Sequence, residues 1–204
     1  MNKTNIQYLT DKVIQYKDNK DWYKNSNKVI KDMFGNDYKD FIYLLAVTSP
    51  RNSVNINTLF AIRAYTCIKQ NKPHLIKYGI CHKTIYGNIK RVSRHDYKHV
   101  TGIKVRAFID SLLLKDGSIC IDIWMRKVYN IKHVTLSKRD ISRITKSINT
   151  IAKRLNMYTY EVQACLWSYA KSELNNTQFK EYKDFTYYLK KYNVGLIQDT
   201  LNVT

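Results

Sequence analysis

Glycine and proline are scarce in this chain, at six and two of its 204 residues. Strand-rich sandwiches and barrels spend those residues freely at their many turns, so the shortage favours helices over a many-turned β architecture. No apolar run approaches the ~18 residues expected of a membrane-spanning helix. The opening Met1-Asn2-Lys3-Thr4-Asn5 is not followed by the apolar stretch of a secretory signal. Cysteine is sparse too. Cys67, Cys81, Cys120 and Cys165 are widely spaced, lie mostly in apolar periodic segments and form no CxxC pair. They predict buried free thiols in a reducing compartment, not a disulfide framework. Acidic residues are the last shortage: 16 Asp and Glu face 35 Lys and Arg, leaving a net charge of +19. Such an excess repels itself in a compact chain unless a polyanion is met, which points to nucleic acid first and an anionic membrane surface second. No Gly-rich phosphate loop, HExxH or GxSxG is present.

What the chain does have is a hydrophobic content of 44%, enough for a globular core, arranged mainly at helical spacing. Ile6, Leu9, Val13 and Ile14 mark a helix over residues 4–19, and Trp22, Val29, Ile30 and Met33 a second over 21–34, stopped at Gly35. Residues 37–48 form a strongly apolar helix ended by Ser49-Pro50, and 54–70 another. Residues 74–96 read as one or two short helices with turns at Gly79 and Gly87. Gly102 leads into an amphipathic helix over 103–114, and Asp116-Gly117 is a turn. Ile119-Cys120-Ile121 is strand-like, with Asp122 as N-cap of a helix over 123–130. Helices over 137–156 and 159–174 follow, then an aromatic and basic tail. The prediction is an all-α fold with about ten helices.

Lys104 and Asp122, eighteen positions apart, are the most informative pair. A glycine-bearing turn before Lys104, one helix, and then Asp122 opening another would bring an amine and a carboxylate to one cleft. Such a pair can expel a base from a sugar by Schiff-base chemistry. The start of a helix after a tight turn also offers free N–H groups to a phosphate. Lys90, Arg91, Arg94, Lys98 and His99 crowd the approach to Thr101, Gly102, Ile103 and Arg106, a set suited to the DNA backbone and indifferent to base identity. Either residue also has a plainer role, Asp122 as a helix cap and Lys104 as one more surface lysine. His74, Cys81, His82, His95 and His99 share one stretch, and His95 and His99 are spaced to share a helix face. They lack the close ligand pairs of structural zinc, so no metal and no cofactor is expected. In the tail, Phe179, Tyr182, Phe185, Tyr187, Tyr188 and Tyr192 alternate with lysines, as in single-strand binders or as in a helix packing its aromatics on a core.

Gly102-Ile103-Lys104 entering a helix, and Asp122 after Ile-Cys-Ile with Trp124 and Arg126 beyond, resemble the helix-hairpin-helix DNA glycosylase superfamily, in particular its endonuclease III-like members. The Lys-to-Asp spacing equals that of the lyase members. Phe41 to Ser49 resembles the family's early apolar segment before its minor-groove loop, and Val162 to Trp167 its late packing helix. The similarity covers roughly residues 35–170 and is closest to small phage-encoded relatives. Two departures stand out. His99-Val100-Thr101-Gly102 keeps only the last glycine of the usual Pro-Gly-x-Gly hairpin, and only Cys165 lies where an iron–sulfur cluster would need four cysteines.

The resemblance implies a two-lobed helical fold with the active cleft between lobes: a central lobe over 35–135, with the hairpin near 90–110, and a second lobe from 1–34 plus 136–204. It implies a glycosylase with AP-lyase activity on double-stranded DNA bearing a flipped nucleotide, with Lys104 as nucleophile and Asp122 stabilising charge or shuttling protons. A base-modifying transferase on the same scaffold and a non-catalytic DNA binder are the alternatives. Tyr43, Trp124 and Phe108 are candidate walls of the base pocket, and Arg51 and Asn52, after Pro50, candidates to fill the gap in the duplex. A monomer inside the cell, without a membrane partner, completes the expectation.

Overall fold

The computed structural model of the protein describes residues 6–50, 52–72, 83–133, 135–174 and 184–192. These are mostly helical, with no strand among them: α1 (Ile6–Gln15), α2 (Trp22–Phe34), α3 (Tyr38–Thr48), α4 (Val54–Lys69), α5 (Lys83–Val92), α6 (Ile103–Leu112), α7 (Ile123–Val128), α8 (Lys138–Leu155), α9 (Thr159–Glu173) and α10 (Phe185–Lys191). The all-α expectation holds. Gly87 is a correction: it lies inside α5 and makes no turn, because Ile85, Ile89 and Val92 bury one continuous helical face around it. The companion turn at Gly79 falls outside the described residues. Ile119-Cys120-Ile121 is irregular chain, not strand, since it meets a helix side chain and no second strand. Among the described residues no helix is long and apolar enough to cross a membrane.

The chain divides into two compact units, residues 1–24 with 110–182, and 25–109 with 183–204. In the first, α9 packs against α7, α1 and α8. Val162, Cys165 and Leu166 of α9 meet Leu9 and Val13 of α1, Met125 of α7, and Ile144, Ile148 and Ile151 of α8. α8 shows why sequence spacing produces this. Its apolar residues recur three and four apart, while its outer face carries exposed Lys138, Arg139, Lys146, Lys153 and Arg154. Ser137 and Asp140 close a reciprocal capping box at its start, and Asn156 ends it in the left-handed conformation. The start of α9 is clipped to the 116–117 turn. Asp116 Oδ1 accepts from the N–H and hydroxyl of Thr159 at 2.8 and 2.7 Å, and the Thr159 hydroxyl accepts from Gly117 N–H at 2.9 Å. Burial pushes the Asp116 carboxyl up, but these hydrogen bonds outweigh it and hold the group below its ordinary value.

In the second unit α3 packs against α4 and α5, and α4 against α10. Phe34 stacks on Phe41, with Tyr65 edge-on to both. Phe108, a candidate pocket wall, is buried beside Phe185 of α10 and belongs to this core. The tail aromatics that fall in α10 split the same way: Phe185 is buried and Tyr187 exposed, while Phe179 and Tyr182 lie outside the described residues. Cys120 and Cys165 are buried free thiols and Cys67 is a half-buried one. Burial pushes the Cys165 thiol up to about 12.

Buried Gln163 is the polar joint of the first unit. Its Oε1 accepts from Cys120 N–H at 2.7 Å and its Nε2 donates to the Tyr23 hydroxyl at 2.6 Å. Gln163→Leu keeps the volume but removes both bonds, and should cost about 1–3 kcal/mol. A lowered urea midpoint with an unchanged slope checks this.

Candidate functional site

The segment joining α5 to α6 lies in the second unit and is a short loop held from within. His95 turns the chain after α5 at φ +54, Tyr97–His99 form one 3-10 turn, and Val100 is extended. Asn88, only 2% exposed, reads the loop's backbone. Its Nδ2 donates to Thr101 O at 3.0 Å, while its Oδ1 accepts from Thr101 N–H at 3.1 Å, the Thr101 hydroxyl at 3.2 Å and Arg91 Nη1 at 2.9 Å. Arg106 donates from Nε to Val100 O at 2.7 Å and from Nη2 to Lys98 O. Gly102 then takes φ +108, and a Cβ there would stand 3.3 Å from Val105 Cγ2. At this φ a side chain would be strained, so the position requires glycine.

The predicted backbone-binding residues of the hairpin therefore divide. Lys90, Arg94, Lys98 and His99 are exposed, and so is Ile103, at 81%. Arg91, Thr101 and Arg106 turn groups inward and build the loop. Lys104 is half-buried in the first turn of α6. His95 and His99 do not share a helix face, because the left-handed residue and the 3-10 turn separate them. His95 Nδ1 sits 3.3 Å from Asp40 Oδ1 and 3.0 Å from the Tyr97 hydroxyl, and His99 Nδ1 lies 2.6 Å from Asp96. Tyr97 donates to Asp40, and burial together with that carboxylate pushes its phenol far above the ordinary value. Tyr43 lies against Tyr97 at 4.4 Å between ring centroids. Asn52 donates to Thr48 O at 2.7 Å and closes its own loop. Arg51, His74, Cys81 and His82 lie outside the described residues. Among the described residues no three His, Cys, Asp or Glu side chains gather where a metal could be held.

Asp122 lies in the first unit and is held by three N–H donors. Oδ1 accepts from Trp124 N and Met125 N, both at 2.9 Å, which makes it the N-cap of α7. Oδ2 accepts from Trp167 Nε1 of α9 at 3.0 Å. The half-buried carboxylate is thus oriented by backbone on one oxygen and by an indole on the other. One turn beyond Trp167, Lys171 brings its Nζ 4.3 Å from the Trp124 ring centroid and 5.1 Å from that of Trp167. Lys127 Nζ is 4.4 Å from the Trp124 centroid, and Trp22 lies against Trp167 at 6.0 Å. Burial lowers the Lys171 pKa, Asp122 opposes that and Lys127 adds to it, with a net fall below the ordinary lysine value.

Sequence reasoning found Asp122 and Trp124 of this cluster and missed Trp167 and Lys171. Val162 to Trp167 read as packing, which is true of all but its last residue: Trp167 is the partly exposed one. The available signal was the Trp167-x-x-x-Lys171 spacing, which places an aromatic and a cation on one face of a helix.

The model of a family of unknown function (DUF7178) matches residues 7–174. No curated protein matches the chain, and no solved structure does.

Asp122→Ala removes the α7 cap and should cost about 1–2 kcal/mol, seen as a lower thermal midpoint, whereas Asp122→Asn should retain most of the capping. In Asp122→Asn the one influence that raises the Lys171 pKa is gone. Its amine should then titrate at lower pH than in the wild type, measured by NMR of isotope-labelled lysine.

Proposed function

The chain belongs to this family of unknown function (DUF7178), and we propose that it is a DNA-acting enzyme that works on a flipped-out nucleotide as a glycosylase with lyase capacity. The observation that carries this is Asp122: a carboxylate fixed by three N–H donors at the start of α7, eighteen positions after a lysine that enters α6 through a positive-φ glycine. A carboxylate already held by its neighbours needs little reorganisation to face a developing positive charge.

Charge supports a nucleic-acid partner. Around the loop before α6 the cations Lys90, Arg94 and Lys98 are exposed, as is His99, and in the other unit the outer face of α8 presents five exposed lysines and arginines. Each cation that neutralises a phosphate releases a counterion, which gives affinity without sequence preference. Arg91 and Arg106 serve by shaping the loop, so the first turn of α6 can offer its N–H groups to a phosphate.

The chemistry then assigns a role to each group. The Lys104 amine attacks the sugar C1′ and the base departs, taking a proton. Ring opening leaves an imine between Lys104 and C1′, from which loss of the C2′ proton expels the 3′ phosphate ester. Asp122 stabilises the oxocarbenium-like charge and carries protons. Extruding the nucleotide costs a few kcal/mol, which backbone contacts and stacking offset. Tyr43 and Trp124, both partly exposed, are proposed for stacking. The protein acts inside the cell as a monomer, a setting compatible with its buried free thiols.

Borohydride trapping tests this. Duplexes carrying uracil, oxidised or abasic nucleotides should yield a covalent adduct with the wild type, and Lys104→Ala should lose at least an order of magnitude of it. Tight duplex binding with no adduct on any duplex would leave a base-modifying transferase or a non-catalytic binder. In the same preparations affinity should fall steeply from about 50 to 200 mM salt. Salt-insensitive binding would overturn the nucleic-acid assignment.

A further inference from the structure

Lys171 has no place in the scheme above, yet its surroundings are those of a reactive amine. Its Nζ stands 4.3 Å from the Trp124 centroid and 5.1 Å from the Trp167 centroid, and Trp167 in turn donates to the Asp122 carboxylate. If its task were only to brace aromatic rings, arginine would serve better, because a guanidinium stacks on indole faces and stays protonated. Lysine alone combines that packing with a nucleophilic nitrogen. Here burial favours the neutral amine, the Asp122 carboxylate opposes it and the Lys127 cation adds to it, with a net fall below the ordinary lysine value.

We propose that Lys171 is a carbonyl-capturing amine that takes the open-chain aldehyde of a phosphate-bearing sugar as a Schiff base, with Trp124 and Trp167 as walls and Asp122 as proton carrier. The indole faces suit the C–H surface of a sugar. Exposed Lys127, at 4.4 Å from the Trp124 centroid, supplies a cation for the adjoining phosphate. The nitrogen lone pair attacks the aldehyde carbon, and the carbonyl oxygen takes a proton to give a carbinolamine. Asp122 accepts the proton leaving nitrogen and returns it to the departing hydroxyl, so water leaves and a C=N bond remains. Two sources share this chemistry, an abasic deoxyribose within DNA and a free sugar phosphate. The first rests on the function proposed above and the second does not.

Two arms separate them. In the first, the protein is treated with 2-deoxyribose 5-phosphate and cyanoborohydride, whose hydride turns the imine into a secondary amine, and modified lysines are mapped by peptide mass spectrometry. Lys171 should carry the label first, severalfold above the exposed Lys146 and Lys153. Lys171→Arg, which keeps a cation on the indoles and should keep the thermal midpoint, should remove that early label, and Asp122→Asn should slow its appearance. Labelling that merely follows exposure, or that is unchanged in Lys171→Arg, would overturn the proposal. The second arm uses an abasic duplex with borohydride. An adduct on Lys171 identifies DNA as the source. An adduct on Lys104 together with exposure-ordered sugar labelling upholds the lyase and sinks the Lys171 assignment. Sugar phosphate on Lys171 with no DNA adduct does the reverse.

Discussion

The three hydrogen bonds on Asp122 are the constraint on which the candidate chemistry depends. Two come from the backbone that starts α7 and one from the Trp167 indole of α9. They fix the start of a helix of only six residues, which propensity alone would not hold. Lys171, the next residue on the same face of α9, lies against both Trp167 and the Trp124 ring. Cap, indole and amine are therefore one assembly, and a change to the carboxylate propagates to a lysine forty-nine positions away in sequence. Capping and chemistry ask the same thing of the side chain, a carboxylate held still at the mouth of a helix.

Helix positions were legible in the sequence because the apolar period of α1, α3, α4, α8 and α9 is unambiguous, and because α4, α7, α8 and α10 start at caps: Ser53, Asp122, Ser137 and Asp184 all accept from N–H groups in the first turn. Gly87 was misread because glycine was taken as punctuation, whereas flanking isoleucines buried on one face outweigh its intrinsic cost in a helix. The apolar Ile-Cys-Ile run suggested a strand by composition alone, but a lone run without a partner cannot form one. Asp122 as a cap was legible from residue type and position. Lys171 was not, because its character comes from burial between rings contributed by α7 and α9, and no local pattern encodes that contact.

The loop before α6 is built with one positive-φ glycine, and Asn88 and Arg106 hold the neighbouring carbonyls and N–H groups. Side chains from the flanking helices thus replace backbone freedom with hydrogen bonds. Two of the cations near the turn accordingly face inward: Arg91 and Arg106 are part of the scaffold, and the exposed charge falls to Lys90, Arg94 and Lys98. The excess positive charge of the whole chain is accordingly less concentrated at the turn than its spelling suggests, and the outer face of α8 carries a comparable share.

The buried thiol of Cys165 has a practical meaning. It sits with no exposed surface in the middle of α9, among the side chains of α1, α7 and α8, and its ionisation is suppressed to about 12. Neither disulfide exchange nor alkylation can proceed without thiolate and access. A maleimide or disulfide reagent that reaches Cys165 would thus count how often α9 parts from its neighbours, a slow event told apart by peptide mapping from the earlier reaction of half-buried Cys67.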